Sequence, residues 1–143
     1  MVLIKPDGMQ KKIVGEVISQ FLTSGLKLEA LKAVSVTEPL AIKHYGHLKG
    51  QFFFKEIVSY LCGQLHEGQP VVAMVFSGFN AIAKCRRLAG ATNPEEAAPT
   101  SVRGKYGRIT TKGVYENLVH VSSNPKEAKR EIRWWFKRGE LLR

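Results

Sequence analysis

Two side chains near the carboxyl end of the sequence have the types and the spacing for nucleophilic chemistry. Residues 118–122 alternate as a short strand does, which places His120 and Ser122 on one face. Glu131 lies in the apolar stripe of the next predicted helix, where a carboxylate is costly unless it is paired, and His120 is the nearest predicted partner. A carboxylate on one ring nitrogen fixes the tautomer and leaves the other nitrogen free as a nucleophile. A core histidine with a structural carboxylate partner fits the same pattern.

A second set of residues could hold a polyphosphate. Its members are basic, hydroxyl and amide side chains at predicted loops and helix ends: Lys5, Tyr45, Arg86, Thr92, Arg103 and Asn117. Transfer of a phosphoryl group depends on positioning and on neutralising charge at the equatorial oxygens, which Lys and Arg supply. Taken singly, each of these residues also fits a solvated surface group.

The elements that must position these residues follow from hydrophobic periodicity. Apolar stripes predict helices at residues 13–22, 53–61 and 81–88 and from residue 125, a helix entry at residues 37–39, and strands at residues 2–5, 28–36, 71–76 and 118–122. We expect a turn at residues 6–8, caps at Asn80 and Asn124, and a long functional loop over residues 90–113. The order predicts an α+β fold, a ferredoxin-like βαββαβ antiparallel sheet with helices on one face.

Length and composition limit the classes of protein. The 143 residues suit a single domain over residues 1–143, and the longest apolar run, residues 71–76, is too short to span a bilayer. Without signal-peptide features or a cysteine framework, the expected location is the cytoplasm. The formal charge of +10 is spread along the chain and predicts anionic partners, such as nucleotides, nucleic acid or an acidic surface.

Several separated blocks resemble nucleoside diphosphate kinases in order and approximate spacing. They are Lys5-Pro6-Asp7-Gly8, His44-Tyr45, Phe53-Phe54, residues 70–75, Gly90 with Thr92-Asn93-Pro94, Arg103-Gly104 and residues 117–120. The resemblance covers essentially the whole chain. It implies ping-pong transfer of the γ-phosphate of a nucleoside triphosphate to a nucleoside diphosphate, through phosphorylated His120 supported by Ser122 and Glu131.

The same resemblance implies how a nucleotide is bound. It places Phe53 and Val114 against the base, with few base-edge contacts and therefore broad nucleotide tolerance, and it places around the phosphates and sugar Lys5, Tyr45, Arg86, Thr92, Arg103 and Asn117. It implies Mg²⁺ held mainly by phosphate oxygens rather than by protein ligands. It also implies a homo-oligomer, a tetramer or a hexamer.

The sequence departs from the family pattern near the proposed nucleophile and in two loops. The family usually has Gly or Ala, then Ser, then Asp after the histidine, where this chain has Val121, Ser122 and Ser123. The missing Asp affects a water-mediated contact to the metal. Lys105 replaces an Asp and adds positive charge near the nucleotide loop, and residues 63–69 and 107–114 are longer than in compact members.

Nucleic-acid binding is a competing interpretation of the charge and of the ferredoxin-like frame. Residues 103–107 faintly resemble a strand of an RNA-recognition motif, but Lys105 occupies the first aromatic position and residues 109–111 supply no stacking ring. We therefore expect only non-specific, salt-dependent attraction to nucleic acid, if any. A nucleotide- or nucleic-acid-binding module on the same fold, with little or no kinase activity, is the alternative function.

A metal-binding module is a further alternative, suggested by His44, His47, Cys62 and His66. The spacing lacks the paired cysteines of a zinc finger, so we expect these histidines on the surface. Cys85, on an apolar stripe, is expected in the core.

Overall fold

The strands form one larger sheet and one small hairpin. The structure is a computed structural model that describes residues 1–142, so Arg143, the last residue of the predicted domain, lies outside the described residues. The strands are β1 (Val2–Ile4), β2 (Lys27–Val34), β3 (Val71–Ser77), β4 (Arg108–Ile109), β5 (Tyr115–Glu116) and β6 (Val119–Val121). The sheet has the spatial order β2-β3-β1-β6 and is antiparallel throughout, while β4 pairs with β5.

The helices connect and cover these strands. They are α1 (Pro6–Gln10), α2 (Val14–Leu22), α3 (Glu38–His44), α4 (Phe54–Leu61), α5 (Ala81–Ala89), α6 (Val102–Tyr106) and α7 (Pro125–Trp135), with short 3₁₀ turns at Gly46–Leu48, Pro94–Glu96 and Arg138–Glu140. In residues 1–142 no helix combines the length and the hydrophobicity needed to cross a membrane. Strands β1, β2, β3 and β6 with α2 and α5 make the βαββαβ frame, which confirms the predicted ferredoxin-like fold.

Hydrophobic clusters lie on both faces of the sheet. Because side chains alternate along a strand, Val2 and Ile4 face the cluster built with α2 and α5, whereas Leu3 faces the cluster built with α3, α4 and α7. The prediction of helices on one face is therefore wrong. Periodicity identifies the buried side of each helix, but it does not tell which face of the sheet that helix covers.

Three local predictions have different outcomes. Residues 6–8 open α1 instead of forming a turn, because proline at the first helical turn needs no N–H. Asn80 precedes α5 in a left-handed conformation (φ 52°) and its side chain makes no capping hydrogen bond, so that cap is wrong. Asn124 does cap α7, since its side-chain oxygen accepts a hydrogen bond from the Glu127 N–H at 2.9 Å.

The predicted loop over residues 90–113 is more ordered than its composition indicates. It contains α6, whose first turn is capped by the Ser101 hydroxyl, and the strand β4. Gly90 opens this segment with φ 88°, and a Cβ there would lie 2.3 Å from Ser101 Oγ. Glycine is required at this position because only it combines that backbone conformation with so close an approach.

Candidate active site

His120 and Glu131 form the pair that their positions predict. His120 lies on β6 opposite Leu3 of β1, on the sheet face that α7 covers, and its Nε2 is 2.8 Å from Glu131 Oε1. The Ser122 hydroxyl donates to the other oxygen, Oε2, at 2.5 Å. Burial alone would raise the pKa of Glu131, which is 1% exposed, but the hydrogen bonds and the charge of His120 outweigh it and the pKa is lowered. Glu131 is thus a charged acceptor aimed at one ring nitrogen.

A second histidine, His44, packs against the His120–Glu131 pair. The His44 ring lies edge-on to the His120 ring at a centroid distance of 4.4 Å, and its Nδ1 accepts a hydrogen bond from Trp135 Nε1 at 3.3 Å. Burial lowers the pKa of His44 to about 3, so this ring is neutral near pH 7. Because His44 is uncharged, it does not compete with His120 as a charged partner of Glu131.

The expectation of surface histidines is wrong for two of the three. His44 is 2% exposed and His66 is 3% exposed, whereas His47 is exposed. Their spacing excludes a zinc finger, but it carries no information about burial, which long-range packing decides. The expectation for Cys85 is confirmed, since it packs in the core.

A cavity of about 250 Å³ opens in front of His120. It is lined by seven residues that the sequence predicts for the site: Lys5, Tyr45, Arg86, Thr92, Arg103, Asn117 and His120. The remaining lining residues are mostly apolar: His47, Leu48, Ile57, Ala89, Gly90, Val119 and Val121. Phe53, just before α4, and Val114, between β4 and β5, lie outside this lining. The residues predicted for the phosphates and sugar therefore gather around His120, and the two predicted base contacts are not part of the cavity lining.

Lys5 lines the cavity as a buried cation. It is 6% exposed, donates to the Asn117 side-chain oxygen, and lies over the Tyr60 ring at 4.4 Å. Burial lowers the pKa of Lys5 to about 8, a shift that the charge of Asp7 opposes and that of Arg103 assists. Lys5 is therefore a largely desolvated cation, which strengthens its attraction to an anion.

Arg103 is held by the backbone on three sides. Its Nε, Nη1 and Nη2 donate to the carbonyl oxygens of Asn117 (3.2 Å), Gly90 (2.8 Å) and Val119 (2.7 Å). Burial lowers the pKa of Arg103 to about 10, and the nearby Arg86 acts in the same direction. The guanidinium remains charged at neutral pH and is fixed in orientation, as an anion-binding group requires.

Two buried residues of the site were missed by the residue-by-residue interpretation. Asp7 is 1% exposed and its Oδ2 accepts a hydrogen bond from the Leu118 N–H at 2.9 Å, which ties α1 to the entry of the His120 strand. Its place in the Lys5-Pro6-Asp7-Gly8 block was the available signal. Tyr60, beneath Lys5, is 4% exposed and had no signal beyond its place on a helical stripe.

Residues 1–141 match the sequence profile of the family described as "Nucleoside diphosphate kinase". The chain belongs to the nucleoside diphosphate kinase family. The nucleoside diphosphate kinase of Pelotomaculum thermopropionicum is 42% identical over 140 residues, which are 98% of this chain and 88% of that protein. The nucleoside diphosphate kinase of a Picosynechococcus strain is 44% identical over 140 residues, with the same shares of both chains.

Solved structures of family members have the same fold. The enzyme from Halobacterium salinarum, in complex with CDP, superposes with a TM-score of 0.89 at 35% identity, covering 99% of this chain and 89% of that one. The Borrelia burgdorferi nucleoside-diphosphate kinase, described as a transition state mimic with bound vanadate and ADP, gives a TM-score of 0.89 at 32% identity, covering 99% and 88%. The resemblance predicted from separated sequence blocks is thereby confirmed.

The residues that depart from the nucleoside diphosphate kinase pattern have separate environments. Val121 is 8% exposed and lines the cavity. Ser123 turns to α7, where its hydroxyl donates to Glu127. Lys105 is exposed on α6. None of these three, all within the described residues, interrupts the contacts between His120, Ser122 and Glu131.

Proposed function

We propose that this chain is a nucleoside diphosphate kinase that transfers the γ-phosphate of a nucleoside triphosphate through a phosphohistidine at His120. The observation that carries the proposal is the placement of His120: Nε2 is bound to buried Glu131, and the ring borders a cavity lined by Lys5, Arg86 and Arg103. Because Nε2 is engaged, Nδ1 is the nitrogen left as nucleophile.

In the first half-reaction, the Nδ1 lone pair of His120 forms a bond to the γ-phosphorus. The bond from that phosphorus to the β–γ bridging oxygen breaks, and the nucleoside diphosphate leaves with the electron pair. The ring becomes cationic on phosphorylation, and Glu131 stabilises it through Nε2–H. The second half-reaction reverses these steps with a different diphosphate, so one site serves both substrates in a ping-pong cycle.

The cationic side chains act on the charge of the transferring group. Lys5, Arg86 and Arg103 offset the charge that spreads over the equatorial oxygens. Burial raises the pKa of Tyr45, so its hydroxyl stays protonated and can donate a hydrogen bond. Thr92 and Asn117 complete the polar wall near the phosphates and sugar.

We propose Mg²⁺ as the divalent cation that accompanies the nucleotide. Among residues 1–142 the cavity lining includes no carboxylate, so the donor set suits an ion held chiefly by phosphate oxygens. Such an ion neutralises charge on the phosphates. Loss of phosphotransfer in a chelator, with recovery on adding Mg²⁺ but not Na⁺ at equal ionic strength, would support this choice.

We also propose that Phe53 and Val114 contact the base of the nucleotide. We further propose that residues 1–143 form one domain. The protein is proposed to be a cytoplasmic homo-oligomer, either a tetramer or a hexamer. Family membership and the exposed apolar side chains of Leu31 (47%), Phe52 (99%) and Phe79 (82%) support assembly. Sedimentation equilibrium measures the oligomer size, limited proteolysis tests the single domain, and cell fractionation tests the location.

The mechanism is tested by trapping the intermediate. Purified protein is mixed with Mg²⁺ and ATP carrying a labelled γ-phosphate, nucleotide is removed, and the protein is examined for acid-labile, base-stable label. We expect label at His120 that a nucleoside diphosphate of another base discharges as the corresponding triphosphate. Label that no diphosphate can remove would refute the ping-pong cycle.

Two histidine variants identify the labelled residue. His120→Ala should bind ADP but acquire no label, whereas His47→Ala, which changes the other histidine of the cavity lining, should keep the label. Turnover retained in His120→Ala would disprove the mechanism. Nucleotide binding without any label in the unmodified protein would instead favour a binding module on this fold.

A further inference from the structure

A buried hydrogen-bonded pair that the proposed reaction does not use lies next to Tyr60, the residue whose ring Lys5 contacts. His66 Nε2 is 3.0 Å from Glu116 Oε1, and the two residues are 3% and 6% exposed. His66 belongs to the segment between α4 and β3, and Glu116 to β5. The pair therefore joins two parts of the chain that are far apart in sequence, both in or beside segments that the sequence predicts to be longer than in compact family members.

The pair closes a ring of contacts of which Lys5 is a member. The His66 ring packs edge-on against the Tyr60 ring at a centroid distance of 4.7 Å. Tyr60 lies under Lys5 Nζ at 4.4 Å, and Lys5 donates to the side chain of Asn117, the residue that follows Glu116. Each member touches the next through space or through one peptide bond.

A tight turn in the segment between α4 and β3 holds His66. Gly63 has φ 78°, a Cβ there would lie 2.4 Å from the Gln69 carbonyl oxygen, and the Gly68 N–H donates to the Gly63 carbonyl at 2.9 Å. This tight turn presents His66 to the interior.

Glu116 is surrounded by cations as well. Arg108 donates to its Oε2, and Lys11 Nζ lies 3.6 Å from the same oxygen. Burial alone would raise the pKa of Glu116, but the hydrogen bonds from Arg108 and His66 and the charge of Lys11 lower it to about 2. Glu116 is therefore charged throughout the neutral range.

We propose that the His66–Glu116 pair is a positioning device that fixes Asn117 and Tyr60, and through them the Lys5 ammonium, for contact with a nucleoside diphosphate or triphosphate. The nature of the ligand rests on the proposed function. Without His66, the buried Oε1 of Glu116 loses its partner, and a buried charge without a full set of partners shifts toward water. Movement of Glu116 displaces Asn117, because the two are adjacent in the chain.

The test compares two substitutions of one histidine. His66→Leu removes the hydrogen bond to Glu116, while His66→Gln offers an amide N–H at a similar reach. We expect His66→Leu to raise the ADP dissociation constant by calorimetry, and the KM for nucleotide, about tenfold with a smaller change in kcat, because displaced binding groups lose productive geometry. His66→Gln should restore both values to within about threefold, because it restores the donor.

A surface pair provides the matched control. Lys32 on strand β2 and Glu140 in the turn at Arg138–Glu140 form an ion pair at 2.8 Å, and neither residue lines the cavity. Glu140→Gln should leave the ADP dissociation constant and the KM unchanged. In an Asn117→Ala background, His66→Leu should weaken ADP binding by less than about twofold, because coupled residues are not additive.

The outcomes separate a positioning role from a structural one. If His66→Leu lowers only the melting temperature and binds ADP as tightly as the unmodified protein, the proposal is overturned. If that variant does not fold, Glu116→Ala, which removes the acceptor of the His66 hydrogen bond, takes its place in the same measurements, and unchanged ADP binding there overturns the proposal equally. Failure of the proposed function is a separate result, namely no phosphoenzyme in the unmodified protein, and ADP binding still tests the pair.

Discussion

The cavity and the residues predicted to contact the base differ in how firmly their side chains are held. In the cavity, Lys5 is buried and Arg103 is half-buried, and each has fixed hydrogen-bond partners. Outside the cavity lining, the Phe53 ring meets the ring of Phe52, which is 99% exposed, edge-on at a centroid distance of 5.3 Å. Under the proposed function, phosphates meet preorganised groups, whereas the base meets apolar surface that selects weakly among bases.

The largest effect is expected in the cavity, from Arg103→Ala. Loss of a charge oriented by three carbonyl groups should lower kcat on the order of 10² to 10³, as the loss of other transition-state donors does. Steady-state assays with ATP and a second diphosphate measure this. Arg87→Ala, which removes an exposed arginine of α5 outside the cavity lining, is the control for net charge. Equal losses in both variants would show that only the overall field matters.

The next largest effect is expected on the pH dependence of kcat/KM, through the protonation of Lys5. The pKa of Lys5 is about 8, so the ammonium loses its proton as pH rises through 8 and its attraction to phosphate is lost. We expect kcat/KM for nucleotide to fall by about tenfold for each pH unit above 8, the slope of a single titrating group. Lys5→Arg should remove this alkaline decline, whatever its rate at pH 7, since arginine stays charged. A decline that persists in Lys5→Arg would assign it to another group.

Glu131→Gln tests whether charge or only geometry at the His120 ring matters. Glutamine keeps an oxygen within reach of Nε2 but removes the charge that stabilises the cationic ring, so phosphorylation should slow by about tenfold. Rapid-quench measurement of the phosphoenzyme gives this rate directly. Ser122→Ala, which removes only the hydroxyl bound to Glu131 Oε2, should have a smaller effect. A larger loss in Ser122→Ala would mean that orientation dominates.

The smallest effect is expected at the predicted base contacts. Phe53→Ala should raise KM by about threefold to fivefold, the loss of part of one aromatic contact, and by similar factors for all four bases. Parallel assays with ADP, GDP, CDP and UDP test this, and Leu22→Ala, which trims an exposed apolar side chain of α2 outside the cavity lining, is the control. A loss confined to one base would show that Phe53 distinguishes among bases, which would contradict the comparison.

The sequence predicted the framework because its signals are local. Periodicity located α2, α4, α5 and α7 and the four strands of the sheet, and their order predicted the βαββαβ frame. A carboxylate on an apolar helical stripe identified Glu131, since burial of such a charge demands a partner, and His120 is that partner in the structure.

Predictions that depended on packing between distant segments were wrong or absent. Helices cover both faces of the sheet, and His44 and His66 are buried. These features arise from contacts between residues far apart in the chain, such as His66 with Glu116. A single sequence does not show which distant residues meet. The helix α6 within residues 90–113 was missed for another reason, since its five residues are too few to show a helical stripe.

The sequence by itself therefore determined the order of the elements, the His120–Glu131 pair and the resemblance to nucleoside diphosphate kinases, because periodicity, an unfavourable buried charge and separated blocks are properties of the chain alone. Only the tertiary structure decided which side chains share the cavity and which groups hold them. Three carbonyl oxygens accept hydrogen bonds from Arg103, and Lys5 contacts Asn117 and Tyr60. These contacts exist only after folding, because each needs groups from several elements at short distance.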